Sequence, residues 1–279
     1  MKFSLIVPTK GPRVAELERM IRSLYAQTFQ DFEIILSDQN PDDRIREMLL
    51  AQGWADKIIH LKSSSGASRA RNVGLDRASG EILGFPDDDC TYPPRLLENI
   101  ARFFETQPEY GFLTGRSFAD DGEDAAARHG RKASRIRRYA IYYQCIEFAL
   151  WIRRAELKSM RFDENLGTGS VTPWQSDEGP DLVLRLEEQG TRGFYDPQFA
   201  VWHPRLEQYD AKAIDRSYRY ACGSGFFLRK HHYPAWFFFY LLLRSCAAWG
   251  VALLKRQSAK LPFYTARLRG MWRGWHARP

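Results

Sequence analysis

Cysteine is scarce in this chain and never paired at short range. The four residues Cys90, Cys145, Cys222 and Cys246 are scattered, which excludes a zinc ribbon or a disulfide-stapled scaffold and points to a reducing compartment. Acidic residues are absent from 255 to 279, where Lys255, Arg256, Lys260, Arg267, Arg269, Arg273 and Arg278 stand. Those seven account for the whole net charge of +7, and the rest of the chain balances 34 basic against 34 acidic residues. A balanced body argues against nucleic acid as a partner and leaves the charge preference to the tail. The apolar stretch from Phe3 to Pro8 is too short for a signal peptide and is expected to be the first strand. With 279 residues, 44% of them hydrophobic, the chain can bury a full core in one large domain with an appendage.

The first half alternates strand-like and helix-like segments. Strands are expected at 3–7, 32–36, 57–61 and 81–85, and helices at 13–27, 43–52 and 68–78. Such a βαβαβαβ series gives right-handed crossovers and gathers loops at the carboxyl edge of a mostly parallel sheet. Thr9, Asp38 and Asp87 all follow strands and are expected to converge there.

Three consecutive carboxylates, Asp87, Asp88 and Asp89, stand after the fourth strand. Like charges this close are costly unless a cation or hydrogen-bond donors compensate them, and a divalent ion holding a diphosphate would do so. A solvated acidic turn is the plain alternative. The stretch 63–74 runs from Ser63-Ser64-Ser65-Gly66 into a helix start bearing Arg69 and Arg71. Helix N-termini and arginine forks both suit phosphate oxygens, whereas arginine at that end otherwise opposes the helix dipole.

The ordered set S-L-I-V-P-T-K, S-D-Q-N, G-A-S-R-A-R-N-V-G and G-E-I-L-G-F-P-D-D-D resembles the family 2 glycosyltransferases over about residues 1–205. The resemblance implies a GT-A fold, a mostly parallel Rossmann-like sheet flanked by helices, and sugar transfer with inversion from a nucleoside-diphosphate sugar, a UDP-sugar first among donors. It implies that Pro8 and Thr9 line the nucleotide site, that Asp38 accepts from the base, and that Arg71 and Asp88 lie near base or diphosphate. Asp87 and Asp89 would hold Mg2+ or Mn2+, with His203 completing the shell. The family often has a further acid where this chain has Cys90.

An acceptor hydroxyl also needs a base on the far face of the sugar. The family's acidic helix-opening motif matches Trp174 to Arg185, with Pro180 in the first turn. Two adjacent acids, any residue, then Asp is the usual pattern. Aligned on Asp181, the second acid is replaced by Gly179. Glu178 is the first choice for the base, with Asp177 and Asp181 as alternatives and helix capping as the bland reading for all three. Trp174 suits a sugar platform for the acceptor, or simple packing.

Residues 120–124 are acidic apart from Gly122, and Arg128, Arg131, Lys132, Arg135, Arg137 and Arg138 follow. A surface loop closed by its own opposite charges is expected, with a lid or basic rim as the alternative. Residues 235–254 form an apolar helix interrupted by Arg244. A charge at mid-bilayer is costly, and a span would carry the basic tail across the membrane. This hydrophobic helical appendage is therefore expected to lie in the interface of an anionic membrane, with a buried oligomer helix as the non-membrane alternative.

The expected organisation is a catalytic domain over 1–205, with a nucleotide-binding half at 1–115 and an acceptor half at 116–205, followed by a membrane-associating region at 206–279. The expected activity is glycosyl transfer to a glycan or lipid-linked acceptor in surface-polysaccharide assembly, at the cytoplasmic face of the membrane, peripheral or monotopic. Two rivals remain at this stage. Asp87-Asp88-Asp89-Cys90-Thr91 also fits the D-x-D-x-T pattern of aspartate-nucleophile phosphohydrolases. A non-catalytic scaffold of the same fold is the second.

Overall fold

The computed structural model describes residues 1–125, 129–205 and 208–278, so Arg128 of the basic stretch lies outside the described residues. Two compact units are distinguished: Met1–Phe162 with Gly179–Arg205, and Asp163–Glu178 with Leu206–Pro279.

The first unit begins β1 (Phe3–Thr9), α1 (Val14–Tyr25), β2 (Phe32–Asp38), α2 (Arg44–Ala51), β3 (Ile58–Lys62), α3 (Ala67–Leu75) and β4 (Ile82–Gly84). β1 lies between β2 and β4, with β3 outside β2, all parallel. Every residue of β1 is buried, which is why its sequence is a continuous run rather than an alternation. α1 turns Leu17, Met20, Ile21 and Leu24 inward at helical spacing.

β1 and β2 extend two residues beyond the apolar pattern, because the ladder continues through Pro8↔Ser37 and Thr9↔Asp38. β4 is shorter than the pattern, and its pairing with β1 stops at Leu5. That side of Pro8, which has no N–H to donate, therefore carries no ladder demand from β4. The chain after β4 turns across the carboxyl edge at this point and carries the triplet with it.

The remainder of the unit contains α4 (Leu96–Thr106), β5 (Phe112–Phe118), β6 (Ser134–Arg135), α5 (Arg138–Gln144), a 3-10 turn (Glu147–Ala149), β7 (Leu150–Arg153), α6 (Arg154–Leu157), α7 (Glu178–Glu188) and β8 (Gly193–Trp202). The sheet order is β3-β2-β1-β4-β7-β5-β8-β6. β7 runs antiparallel to β4 and β5, while β8 is parallel to β5. An isolated bridge between Thr91 and Trp202 ties the end of β8 to the residues after the triplet. The acidic block is closed by its own surroundings: Asp121 pairs with Arg205, and Asp124 with Arg116 and Arg131.

The second unit holds α8 (Ala211–Lys230), α9 (Ala235–Leu254) and α10 (Lys260–Trp275). Asp210 caps α8 by accepting from the Ala213 N–H at 2.8 Å. α8 and α10 approach until backbone meets backbone. A Cβ on Gly274 would stand 2.1 Å from the Cys222 carbonyl oxygen, and one on Gly225 2.3 Å from that of Met271. α9 lays Phe238 against Trp275 with ring centroids 4.6 Å apart, and Trp249 Nε1 donates to Thr265 Oγ1 at 3.2 Å. The segment before α7 is bound into this unit: Lys230 pairs with Asp163 at 2.6 Å, and Trp174 stacks on Phe226 at 4.7 Å and 1°.

Candidate active site

Successive strand ends of the first unit carry the polar residues at the carboxyl edge. Asp38, the last residue of β2, is fully buried. Its Oδ1 accepts from the Asn40 backbone and side-chain nitrogens, each at 2.9 Å, and its Oδ2 from His60 Nε2 at 3.1 Å and Lys62 Nζ at 2.8 Å. Burial by itself would raise this carboxyl, but the donors from Lys62, Asn40 and His60 outweigh it and hold it below the usual range. Thr9, paired with Asp38 in the ladder, donates from Oγ1 to Asp88 Oδ2 at 2.8 Å. Pro8 is buried within β1.

The triplet is compensated by two arginines. Arg71 Nη2 on α3 reaches Asp87 Oδ1 at 2.9 Å, and its guanidinium lies 5.6 Å from the Phe162 ring centroid. Its neighbour Asn72 clasps Phe162, donating to its carbonyl at 3.0 Å and accepting from its N–H at 2.9 Å. Arg13 Nη1 lies 3.1 Å from Asp88 Oδ1 and 2.7 Å from Asp89 Oδ2. Burial still raises the Asp88 carboxyl, against the opposing pull of Arg13 and Thr9.

Asp89 Oδ1 is buried without a hydrogen-bond partner, and His203 Nε2 stands 3.7 Å from it. His203 Nδ1 lies 2.7 Å from the Pro204 carbonyl, which can only accept, so Nδ1 carries the hydrogen. In the neutral imidazole, Nε2 then presents its lone pair towards a carboxylate oxygen. Two acceptors facing each other suit a shared cation, and ligands about 2.1 Å from one ion lie roughly 3–4.2 Å apart. Phe148 stacks on the His203 ring at 4.9 Å and 14°, holding it in place. Asp89 and His203 therefore fit a hard divalent ion, whereas Asp87 is turned to Arg71. Among the described residues no group of three or more His, Cys, Asp and Glu side chains could by itself hold a metal. An ion here would need further ligands, as Mg2+ sites complete themselves with substrate phosphates and water.

Cys90, in place of the family's further acid, is packed in the main apolar cluster. Burial and the adjacent carboxylates push its thiol well above the ordinary range, so it is a neutral core residue rather than a nucleophile.

The three acids at the start of α7 differ in their surroundings. Asp181 belongs to the first unit, is fully buried and pairs with Arg185 at 2.8 Å. Asp177 and Glu178 belong to the second. Asp177 has φ +64° and accepts from Ser176 Oγ, and from Ser224 Oγ at 2.7 Å. Burial pushes its carboxyl up to about 6 despite those two donors. Glu178 is buried. Trp174 has one face covered by Phe226.

Two polar residues of these surroundings escape a reading of the sequence. Arg13 sits in the loop just after β1, and an arginine so close to a strand end is a usable signal. Glu147 has no signal, since it lies in a short 3-10 turn outside any periodic pattern; its Oε1 accepts from the Gly179 N–H at 2.9 Å.

The fold is that of the GT-A nucleotide-sugar enzymes, with an acidic triplet at the carboxyl edge of a mostly parallel sheet. The Glycosyl transferase family 2 model matches residues 4–164, and the chain belongs to that family. One relative is the GalNAc(5)-diNAcBac-PP-undecaprenol beta-1,3-glucosyltransferase of Campylobacter jejuni, 40% identical over 187 residues, which are 62% of this chain and 58% of that protein. The chain spans about half the length of the curated relatives it matches. Among solved structures, TarS of S. aureus in complex with UDP aligns with a TM-score of 0.60 at 20% identity, over 82% of this chain and 65% of that one. The mannosyltransferase PcManGT of Pyrobaculum calidifontis, in complex with GDP-Man and Mn2+, aligns with a TM-score of 0.64 at 15% identity, over 97% of this chain and 84% of that one. The family match includes the triplet, so the phosphohydrolase reading is set aside.

Proposed function

We propose that this chain transfers a sugar, with inversion, from a nucleoside-diphosphate donor to a glycan or lipid-linked acceptor at a membrane surface. The observation that carries this reading is the buried, donor-less Asp89 Oδ1 facing His203 Nε2 beside a triplet whose charge Arg71 and Arg13 meet only in part. Proteins of similar fold bind UDP, or GDP-Man with Mn2+, and a UDP-sugar is the first donor to test.

In this reading Pro8 and Thr9 line the nucleotide site. Asp38 accepts from the base, which would replace one of its present donors. Arg71 and Asp88 border the diphosphate, and Asp87 keeps Arg71 oriented. Asp89 and His203 would hold Mg2+ or Mn2+, which when bound supplies Lewis-acid stabilisation of the departing diphosphate. The acceptor hydroxyl oxygen bonds to the anomeric carbon from the face opposite the leaving group. As the carbon–oxygen bond to the diphosphate breaks, the hydroxyl proton passes to a carboxylate. Glu178 is assigned that role because it keeps an acidic position at the start of α7, with Asp177 and Asp181 as the alternatives. Trp174 would serve as the aromatic platform for the acceptor.

Membrane association is supported by α9, the one helix among the described residues long and apolar enough to cross a bilayer. Trp236, Phe239, Leu243 and Leu254 on it are exposed, as is Trp272 on α10. Arg244, exposed on the same helix, favours an interfacial position on the cytoplasmic leaflet over a span.

The deciding experiment is turnover of a panel of nucleotide sugars with and without EDTA, preceded by thermal-shift screening of nucleoside diphosphates with Mn2+. EDTA-sensitive turnover is expected. Ligand binding without turnover on any acceptor would favour the non-catalytic scaffold.

A further inference from the structure

The triplet in this structure is already served by cations, and the two arginines involved are held in different ways. The Arg71 side chain is 3% exposed, ringed by Asp87 and Phe162. The Arg13 side chain is 47% exposed, and its hydrogen bonds run to Asp88 and Asp89. Arg13 also directly precedes α1, at the positive end of the helix dipole, where a cation gains nothing from the helix. The backbone beneath it is anchored: Gly11, at φ +91°, donates its N–H to Asn40 Oδ1 at 2.8 Å. A fixed base with a half-exposed guanidinium describes an arm that can leave its carboxylates for a nearby anion without crossing an apolar barrier.

What it would leave behind is specific. One Arg13 nitrogen bridges Asp88 Oδ1 and Asp89 Oδ2, while Asp89 Oδ1 is buried without a donor and faces His203 Nε2. The guanidinium thus meets only part of the negative charge at the place where a divalent ion fits.

We propose that Arg13 is an exchangeable counter-cation. In the nucleotide-free protein it neutralises Asp88 and Asp89 and competes with divalent ions for them. When a nucleoside diphosphate arrives with Mg2+ or Mn2+, Arg13 yields the carboxylates and turns to the diphosphate. Metal binding then depends on nucleotide, and the triplet is never left uncompensated. The inference rests on the donor-site reading above.

The test measures Mn2+ binding directly, by loss of the free-ion electron paramagnetic resonance signal, with no turnover involved. Wild type, Arg13→Ala and Arg13→Lys are titrated with Mn2+ alone and with Mn2+ plus UDP or GDP. Without nucleotide, Arg13→Ala should bind Mn2+ about 10-fold or more tightly than wild type, the scale of one charged hydrogen bond. With nucleotide the advantage should shrink or reverse. In EDTA, Arg13→Ala should melt below wild type and recover with Mn2+. Arg13→Lys, which keeps the charge but not the fork, should fall between them and serves if the alanine variant does not fold. Unchanged or weaker nucleotide-free Mn2+ binding in Arg13→Ala, while wild type binds Mn2+ with nucleotide, overturns the role of Arg13 alone. No Mn2+ binding by any of the proteins with either nucleotide overturns the metal reading and this inference with it.

Discussion

The Gly179 N–H donates to Glu147 Oε1 at 2.9 Å, and a Cβ at position 179 would stand 2.7 Å from that same oxygen. Glycine at position 179 thus has a steric reason: the carboxylate of Glu147 takes the space a side chain would need. Gly179→Ala should destabilise the protein by about 1–3 kcal/mol, as overpacking does, despite alanine's better helix propensity. In a Glu147→Ala background the same change should be nearly neutral. Thermal melts of the four proteins form the cycle, and a full penalty persisting without Glu147 would remove the explanation.

For the metal, Asp89→Ala should abolish Mn2+-dependent nucleotide binding and leave the fold intact. Losing one carboxylate relieves repulsion in the triplet but removes the oxygen facing His203. Calorimetry with UDP and Mn2+ measures this, and wild-type affinity and metal dependence in the variant would contradict the assignment.

The stretch from β1 to β4 was legible because its physics is local. Strands buried on both faces read as apolar runs, and α1 shows its inward stripe in sequence alone. The polar residues at strand ends could be placed from topology. What was not legible beyond it was hidden for reasons that are tertiary. β5, Phe-Leu-Thr-Gly-Arg-Ser-Phe, and the four-residue β7 carry too little pattern to call. α8 contains Gly223 and Gly225, which look like breakers but permit close packing: a Cβ on Gly223 would meet Ser176 Oγ at 2.4 Å. The separate partners of Asp177 and Asp181, four residues apart, depend on contacts far along the chain in one case and on the same helix in the other. No spacing rule distinguishes them.

Among the acids of α7, Glu178→Gln should lower turnover by about 10² or more while nucleotide binding stays near wild type, as expected when a positioned base is removed. Asp181→Asn should instead act mainly on stability, since it weakens the buried pair with Arg185. Steady-state kinetics beside melting curves separates the two, and the kinetic signature at Asp181 instead of Glu178 would reassign the base.

Asp177 gives a pH dependence of defined sign. Its carboxyl is raised to about 6 in the folded state, so the folded protein holds a proton that the unfolded chain releases near pH 4. This group's contribution is most favourable below pH 4, is lost as pH rises to about 6, and is level above that. Asp177→Asn keeps an oxygen for Ser176 and Ser224 and tolerates φ +64°. It should stabilise the protein by up to about 3 kcal/mol at pH 7 and flatten its stability between pH 4 and 6. Denaturant titrations at pH 4, 5, 6 and 7 test this, and a variant less stable than wild type at pH 7 would show the ionised form to be the favoured one.

In the proposed attachment to a membrane, the exposed face of α9 and the basic tail should make separable contributions. α9 turns Phe238, Leu241, Ser245 and Ala252 inward and leaves Trp236, Phe239, Leu243 and Leu254 exposed. In the tail, Lys255, Arg256, Arg269 and Arg278 are exposed, whereas Arg273 is engaged with the Tyr218 hydroxyl at 2.8 Å and should be left intact. Replacing Lys255, Arg256, Arg269 and Arg278 by glutamine should weaken binding to anionic vesicles by about 1 kcal/mol per charge close to the surface, with little change on neutral vesicles. Replacing Phe239 and Leu243 by serine should weaken both, because it removes apolar area rather than charge. An interfacial helix responds to both sets, whereas a spanning helix is nearly insensitive to the first. If the glutamine variant stays bound through high salt and alkaline carbonate, the interfacial model fails. α9 would then cross the bilayer, and Arg244, whose guanidinium lies 5.8 Å from the Tyr240 ring, would have to be accommodated within it.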